Sequence, residues 1–173
     1  PRFRFGLDLG VEWKGIDFSM FWQGVAKRDL WLDGPMFWGI SGGEWQSTGL
    51  KEHLDYYRPE NTTSVFGPNT NAYFPKMYMS KDMNQKVQTR YLQNGAYARL
   101  KNIQLGYTFP TQIINKLHMQ KLRVYVSAEN VLTITSLPSG FDPETTYSSY
   151  SDGNSGKTYP LQTTISFGLN ATF

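Results

Sequence analysis

The chain has 173 residues, of which 39% are hydrophobic and 16% aromatic, with a formal net charge of +3 and no cysteine. Its mean hydropathy is −0.47, no stretch approaches the ~20 apolar residues of a membrane-spanning helix, and the missing thiols exclude disulfides, zinc–thiolate centres and cysteine nucleophiles. The 17 Lys and Arg are scattered, with Lys27-Arg28 the one adjacent pair, so no basic stripe tracks a phosphate backbone and nucleic acid is not an expected partner.

At the N-terminus, Pro1-Arg2-Phe3-Arg4 lacks the apolar core of a signal peptide, which leads to the expectation that the chain starts inside a longer protein. The first strand is expected over about 2–13. Its odd positions are Phe3, Phe5, Leu7, Leu9, Val11 and Trp13; its even positions are Arg2, Arg4, Gly6, Asp8, Gly10 and Glu12. Unbroken period-2 alternation describes a strand with one apolar face and rejects a helix. Its length suits a bilayer core of ~25–30 Å crossed at a tilt near 40°. Lys14-Gly15 then reads as a two-residue hairpin turn. The chain returns over about 16–24 through Ile16, Phe18, Met20 and Trp22, and Phe21 interrupts the polar row.

Residues 25–96 carry no sustained period and are punctuated by turn formers such as Gly67-Pro68-Asn69. So long a stretch argues against a compact soluble domain and suits an extracellular loop of a barrel. Alternation resumes over about 97–109, where Ile103, Leu105, Tyr107 and Phe109 share a face. Arg99 and Lys101 fall in that apolar register, and are expected near the head groups, where basic side chains snorkel. Residues 110–121 form a short connection, with one or two helical turns that cluster Ile113, Ile114 and Leu117. A fourth strand is expected over about 122–134, a second loop over 135–158, and a last strand over 159–173, with Ile165, Phe167, Leu169, Ala171 and Phe173 on one face.

The expected fold class is therefore all-β: five antiparallel membrane-spanning strands forming the C-terminal part of a larger outer-membrane up-and-down β-barrel. Connections alternate in length, so 14–15 and 110–121 are placed in the periplasm, the two long loops outside, and the C-terminus in the periplasm. This requires Phe3, Leu7, Val11, Leu105 and Phe167 to face lipid rather than a dry protein core. Open strand edges in hydrocarbon are costly, so the fold depends on the rest of a barrel.

No catalytic or metal constellation is found and no cofactor is expected. His53 and His118 lack the spacing of a metal pair, and His118 reads as a solvated turn residue. Asp8 and Glu12, with Arg2 and Arg4, belong on the polar lumen face. Asp142, Glu144, Asp152 and Asn154 miss the calcium-loop spacing. In the loop, Trp31, Trp38, Trp45, Tyr56, Tyr57, Tyr73 and Phe74 are candidates for contact with ligand or a covering protein; packing within the loop itself is the competing reading. A soluble β-sandwich carbohydrate-binding module is the alternative to the barrel. An enzyme barrel lacks its nucleophile–base pair.

Ile165, Phe167, Leu169 and terminal Phe173 resemble the C-terminal insertion signal of outer-membrane proteins. More broadly, the segments Thr89–Pro110 and Leu122–Thr133, with Gly140-Phe141-Asp142-Pro143-Glu144 and Ser166–Phe173, resemble the SusC/RagA family of TonB-dependent transporters. The resemblance implies a 22-stranded barrel whose plug and TonB-contacting segment lie outside this chain. It implies import of oligosaccharides or peptides across the outer membrane of Bacteroidetes, coupled through the TonB complex, under a SusD-like surface lipoprotein acting as a lid.

Overall fold

The computed structural model describes residues 2–39, 49–77, 84–115, 118–146 and 158–173. The chain divides into two compact units: Pro1–Asp29, Asn94–Ser136 and Leu161–Phe173 form the first, Leu30–Gln93 and Leu137–Pro160 the second. In chain order the strands are β1 (Arg4–Trp13), β2 (Ile16–Val25), β3 (Asp29–Leu30), β4 (Gln93–Asn94), β5 (Tyr97–Thr108), β6 (Lys121–Thr135) and β7 (Thr164–Thr172). Five make one sheet in the order β1-β2-β5-β6-β7, each antiparallel to its neighbour; β3 and β4 make a separate two-stranded ladder. The last strand starts at Thr164 rather than near Tyr159.

Alternation along each strand becomes a two-faced sheet through the register. One cross-strand row is Val11, Phe18, Leu105, Val126 and Phe167; the row above it is Leu9, Met20, Ile103, Ala128 and Ile165. On the opposite face the rows read Gly10, Ser19, Gln104, Ser127, Ser166 and Glu12, Asp17, Gly106, Tyr125, Gly168. Ten residues in β1 and in β2, at ~3.3 Å each and tilted ~40°, reach about 25 Å, the height of a barrel's apolar band.

The turn between β1 and β2 has positive φ at both central residues, Lys14 (47°) and Gly15 (86°). That is the I′ pattern, whose twist matches that of the flanking strands. Gly15 is required twice over, because a Cβ there would also sit 2.7 Å from the Thr108 carbonyl oxygen.

A bulge corrects the expectation for Arg99 and Lys101. Phe21 pairs with Asn102 while the next residue, Trp22, pairs with Leu100, so Lys101 is an extra residue in β5. The β6 partners of Asn102 and Leu100 are Glu129 and Leu132, so Asn130 and Val131 lie across from Lys101, and Asn130 has φ 53°. One extra residue in a period-2 strand moves everything beyond it to the other face. Arg99 is thereby carried to the polar side, opposite Gln23 and Thr133. It is 3% exposed, and its Nε donates to Thr133 Oγ1 at 2.7 Å. Leu100 takes its place in the apolar row with Trp22 and Leu132.

The connection after β5 contains α2 (Thr111–Ile114), a single turn. Ile114 is buried while Ile113 stands exposed, so the expected cluster is reduced to one anchored side chain; Leu117 lies outside the described residues. His118 is exposed in this connection with φ 59°.

The second unit is built on an aromatic core. Leu30, Leu32, Phe37, Trp38, Phe74 and Tyr91 from the first loop cluster with Leu137 and Phe141 from the second. Phe37 meets Trp38 edge-on at 5.0 Å between centroids, and Trp38 meets Tyr91 at 4.8 Å, the geometry that ring quadrupoles favour. The one-turn helix α1 (Pro35–Trp38) delivers both Phe37 and Trp38. The Trp38 indole N–H donates to the Leu32 carbonyl at 3.2 Å.

Candidate functional site: a two-faced sheet and an aromatic loop unit

The apolar face of the sheet is uncovered. Phe3 is 60% exposed, Leu7 49%, Val11 59%, Leu105 49% and Phe167 84%. A water-soluble sandwich would bury such rows against a second layer; here they form a continuous surface across five strands. Full transfer of such a side chain from water gains ~1.5–3 kcal/mol, so with about half to four-fifths of each still exposed, these five together favour an apolar medium by roughly 5–9 kcal/mol. The terminal residues singled out in the sequence, Ile165, Phe167, Leu169 and Phe173, are all exposed. The first three lie opposite Ala128, Val126 and Val124 on this face.

The polar face is organised around glycines. The Arg123 guanidinium reaches across Gly106 to the Asp17 carboxylate in a bidentate pair, with Nε–Oδ2 at 2.8 Å and Nη2 on Oδ1. A side chain at Gly106 would fall on both partners. The pair thus spans three neighbouring strands, β2, β5 and β6, and exists because the middle one carries no side chain there. Arg123 also stacks over the Tyr125 ring at 4.8 Å, and that ring lies across Gly168 in turn. Phe21, which interrupts the polar row in sequence, rests against Gly6, where a Cβ would meet its ring at 3.3 Å. Three large or charged polar-face groups therefore each lie over a neighbouring strand's glycine.

In the loop unit, the sequence candidates separate into core and surface. Trp38 and Phe74, expected to offer surfaces to a ligand, are 2% and 8% exposed; they are the centre of the core. Trp31 and Tyr56 pack partly buried against it. Tyr57 and Tyr73 are exposed. Trp45 lies outside the described residues. Tyr57 and Tyr73 border a cavity of about 510 Å³, whose wall includes Thr70, Asn84 and Arg90. Tyr73 is set edge-on to Phe74 at 4.9 Å and to Tyr91 at 5.5 Å, and its hydroxyl accepts from Gln93 Nε2 at 3.0 Å. Arg90 is fixed beside it, Nη2 donating to the Ala72 carbonyl at 2.8 Å.

Several structural residues of this unit were not read from the sequence. His53 is buried: the Leu50 N–H donates to its Nδ1 at 2.9 Å, and Nε2 lies 3.1 Å from the Phe37 carbonyl. With Nδ1 accepting, the hydrogen-bond network assigns the proton to Nε2. Arg58 is buried too, donating to the carbonyls of Gly67 (2.6 Å) and Leu54 (2.7 Å). Asp55 accepts from Asn69 Nδ2 and the Tyr73 N–H. In the second loop, Asp142 Oδ1 accepts from the Glu144 N–H, and its carbonyl accepts from Thr146 Oγ1 at 2.6 Å. Where backbone has no ladder partner, side chains supply the hydrogen bonds. Spacing gives no sign of these partnerships, although a run as poor in apolar residues as 55–71 signals that polar groups must hold it.

An antiparallel sheet in the order β1-β2-β5-β6-β7, with one exposed apolar face and one polar face, has the pattern of a membrane β-barrel wall. No family model matches the chain. Across its whole length it is 28% identical to TonB-dependent receptor P3 of Formosa agariphila, spanning 16% of that protein, and 25% identical to TonB-dependent receptor P26 of the same organism, spanning 17%. Among solved structures, it shares its fold with a chain of the RagAB peptide importer in the open-open state: TM-score 0.64, 24% identity, over 98% of this chain and 17% of that one. A chain of the RagAB peptide transporter matches with TM-score 0.64 and 25% identity over 97% of this chain. The full-length similarity is to TonB-dependent receptors and the shared fold is that of a RagAB chain, so this chain is similar to a segment of a TonB-dependent transporter barrel. The relatives carry the names of receptors and transporters rather than of enzymes, and TonB-dependent receptors are outer-membrane β-barrels.

Proposed function

We propose that this chain forms the C-terminal part of the barrel wall and two extracellular loops of a SusC-like transporter that imports oligosaccharides or peptides across the outer membrane. On this reading the complete protein supplies the plug and the TonB contact, and a SusD-like lipoprotein covers the loop side. Lys14-Gly15, residues 110–121 and Phe173 lie in the periplasm. Tyr57 and Tyr73, with the cavity between them, offer flat rings and polar neighbours to cargo. The observation that carries the proposal is the apolar row Val11, Phe18, Leu105, Val126 and Phe167, exposed at Val11, Leu105 and Phe167 and half-buried at Phe18 and Val126, opposed by a polar face of the same strands.

Disrupting the gene should abolish growth on one class of glycan or peptide as sole nutrient, and removing TonB should reproduce the defect. Unchanged growth and uptake across a panel of both cargo classes would refute the proposal. Sidedness is tested separately. In the full-length protein, Thr63→Cys should react with an impermeant maleimide on intact cells, and Lys14→Cys only after permeabilisation; the chain has no cysteine of its own. The reverse pattern would invert the topology.

A further inference from the structure

His53 lies in the short 3-10 helix Lys51–Leu54 and is 3% exposed. Further residues of a longer protein can only cover it more. The helix is capped reciprocally. The His53 N–H donates to the Leu50 carbonyl at 3.0 Å, and the Leu50 N–H donates back to His53 Nδ1 at 2.9 Å. Such a capping box ordinarily places Glu or Gln at the third helical position; a histidine replaces them only with Nδ1 unprotonated. With its proton on Nε2, the ring donates to the Phe37 carbonyl at 3.1 Å. It also stands edge-on to Phe74, with centroids 5.5 Å apart. One neutral imidazole thus ties the Leu50 cap to Phe37 and Phe74, two members of the loop core.

We infer that His53 is an acid-sensitive latch, whose protonation breaks the Leu50 cap and loosens the aromatic core of the loop unit. An imidazolium carries an N–H on both nitrogens, so at Nδ1 donor would meet donor, and the new charge would be buried. Neither nitrogen is bonded to a carboxylate; both partners are backbone groups. Among the described residues, few titratable groups surround the ring. Glu52 and Tyr73 share with it the wall of a cavity of about 260 Å³. Lys51 and Asp55 are its neighbours along the chain. Lys51 and Glu52 are exposed, and the Asp55 carboxylate is engaged by Asn69 Nδ2 and the Tyr73 N–H. The helix α1 (Pro35–Trp38) and Pro138, Ser139 and Phe141 of the second loop bring no ionisable side chain. The closed core therefore holds His53 without a second proton, whereas an opened segment takes one up below about pH 6.5. The state that binds more protons gains as pH falls, so acid favours opening. Because Tyr73 packs edge-on against Phe74 at 4.9 Å, loosening this core also frees one wall of the cavity beside Tyr57 and Tyr73.

The test is hydrogen exchange on the full-length protein in lipid, read as protection factors so that the chemical pH dependence of exchange is divided out. From about pH 8 to about pH 5, the range in which histidine changes charge, protection at Leu50, His53, Trp38 and Phe74 should fall about tenfold to thirtyfold. The upper figure is the ratio for a group that titrates near pH 6.5 only when the core is open. Amides of β5 and β6 should keep constant protection. His53→Gln retains a capping acceptor without an ionisable ring; it should flatten the dependence to less than about twofold, whatever it does to protection at either pH. Glu52→Gln should leave the dependence as in wild type. Wild-type protection that stays constant within about twofold would overturn the inference. So would a tenfold fall that survives in His53→Gln or disappears in Glu52→Gln, because another group would then be the sensor. An equal loss in β5 and β6 would overturn it too, since acid would then be unfolding the sheet rather than opening the loop core.

Discussion

The sheet and the loop unit use aromatic and aliphatic residues in opposite ways. In the sheet, Phe167, Val11 and Leu105 are exposed and their neighbours along each strand are polar; in the loop unit, Trp38, Phe37 and Phe74 are enclosed and in contact with one another. The first arrangement is stable only with an apolar solvent outside, the second only with water outside. One short chain therefore contains two solutions to burial, and each can be broken without the other.

The largest expected effect is on the sheet. Phe167→Arg in the full-length protein places a charge in the middle of the apolar face, at a cost of ~2–4 kcal/mol, and removes a ring worth ~1.5–3 kcal/mol. The sum, about 5 kcal/mol, should nearly abolish assembled barrel in membrane fractions, read by heat-modifiable gel mobility. Ser166→Arg, one residue away on the polar face, should assemble normally. Equal assembly of the two variants would mean the two faces are not lipid and lumen.

Next comes the loop core. Trp38→Ala should destabilise the second unit by about 4 kcal/mol, the range for removing a large buried aromatic, with the loss of the bond to the Leu32 carbonyl included. Hydrogen exchange should accelerate at Phe37, Phe74 and Tyr91 while β5 and β6 amides keep their protection. If the strands exchange faster as well, the two units are not energetically separable.

A smaller and sign-reversing pair concerns glycines. Gly106→Ala forces the Asp17–Arg123 pair aside and should lower stability by about 1–3 kcal/mol, the usual cost of overpacking. Gly10→Ala, on the same face, meets nothing closer than the Phe18 carbonyl oxygen at 3.9 Å. It should be neutral or stabilising by up to ~1 kcal/mol, because a strand glycine loses more backbone entropy than alanine. Urea titration of the barrel in lipid distinguishes them; identical midpoints would show that the ion pair contributes nothing.

What was legible in the sequence follows the same division. Period 2 is a local property, so β1, whose alternation is unbroken from Arg2 to Trp13, could be read residue by residue. The bulge at Lys101 could not, because no glycine or proline marks it; only Asn130, a residue type that tolerates positive φ, hints at it one strand away. Its consequence, the transfer of Arg99 to the polar face, required knowing three strands at once. The loop core was illegible for a different reason. Trp38, His53, Phe74, Tyr91 and Phe141 come from five separated places, and convergence of that kind has no period. Counting aromatics therefore flagged Trp38 and Tyr57 alike and could not tell a core ring from a surface one.

Tyr57 sharpens that last distinction. Its backbone N–H is tied to the Phe74 carbonyl at 3.0 Å, while its ring is exposed at the edge of the cavity. Tyr57→Ala removes the ring without disturbing the backbone, so stability should change by less than about 0.5 kcal/mol, as for most surface substitutions. If the ring stacks on cargo as proposed, affinity measured by calorimetry should fall about fivefold, equivalent to roughly 1 kcal/mol of stacking. Tyr57→Phe should retain it. A Tyr57→Ala variant with unchanged cargo affinity would remove this ring from the cargo path. Cargo recognition would then have to be sought elsewhere in the transporter, while the Trp38 core remained as the structural reason the loop keeps its shape.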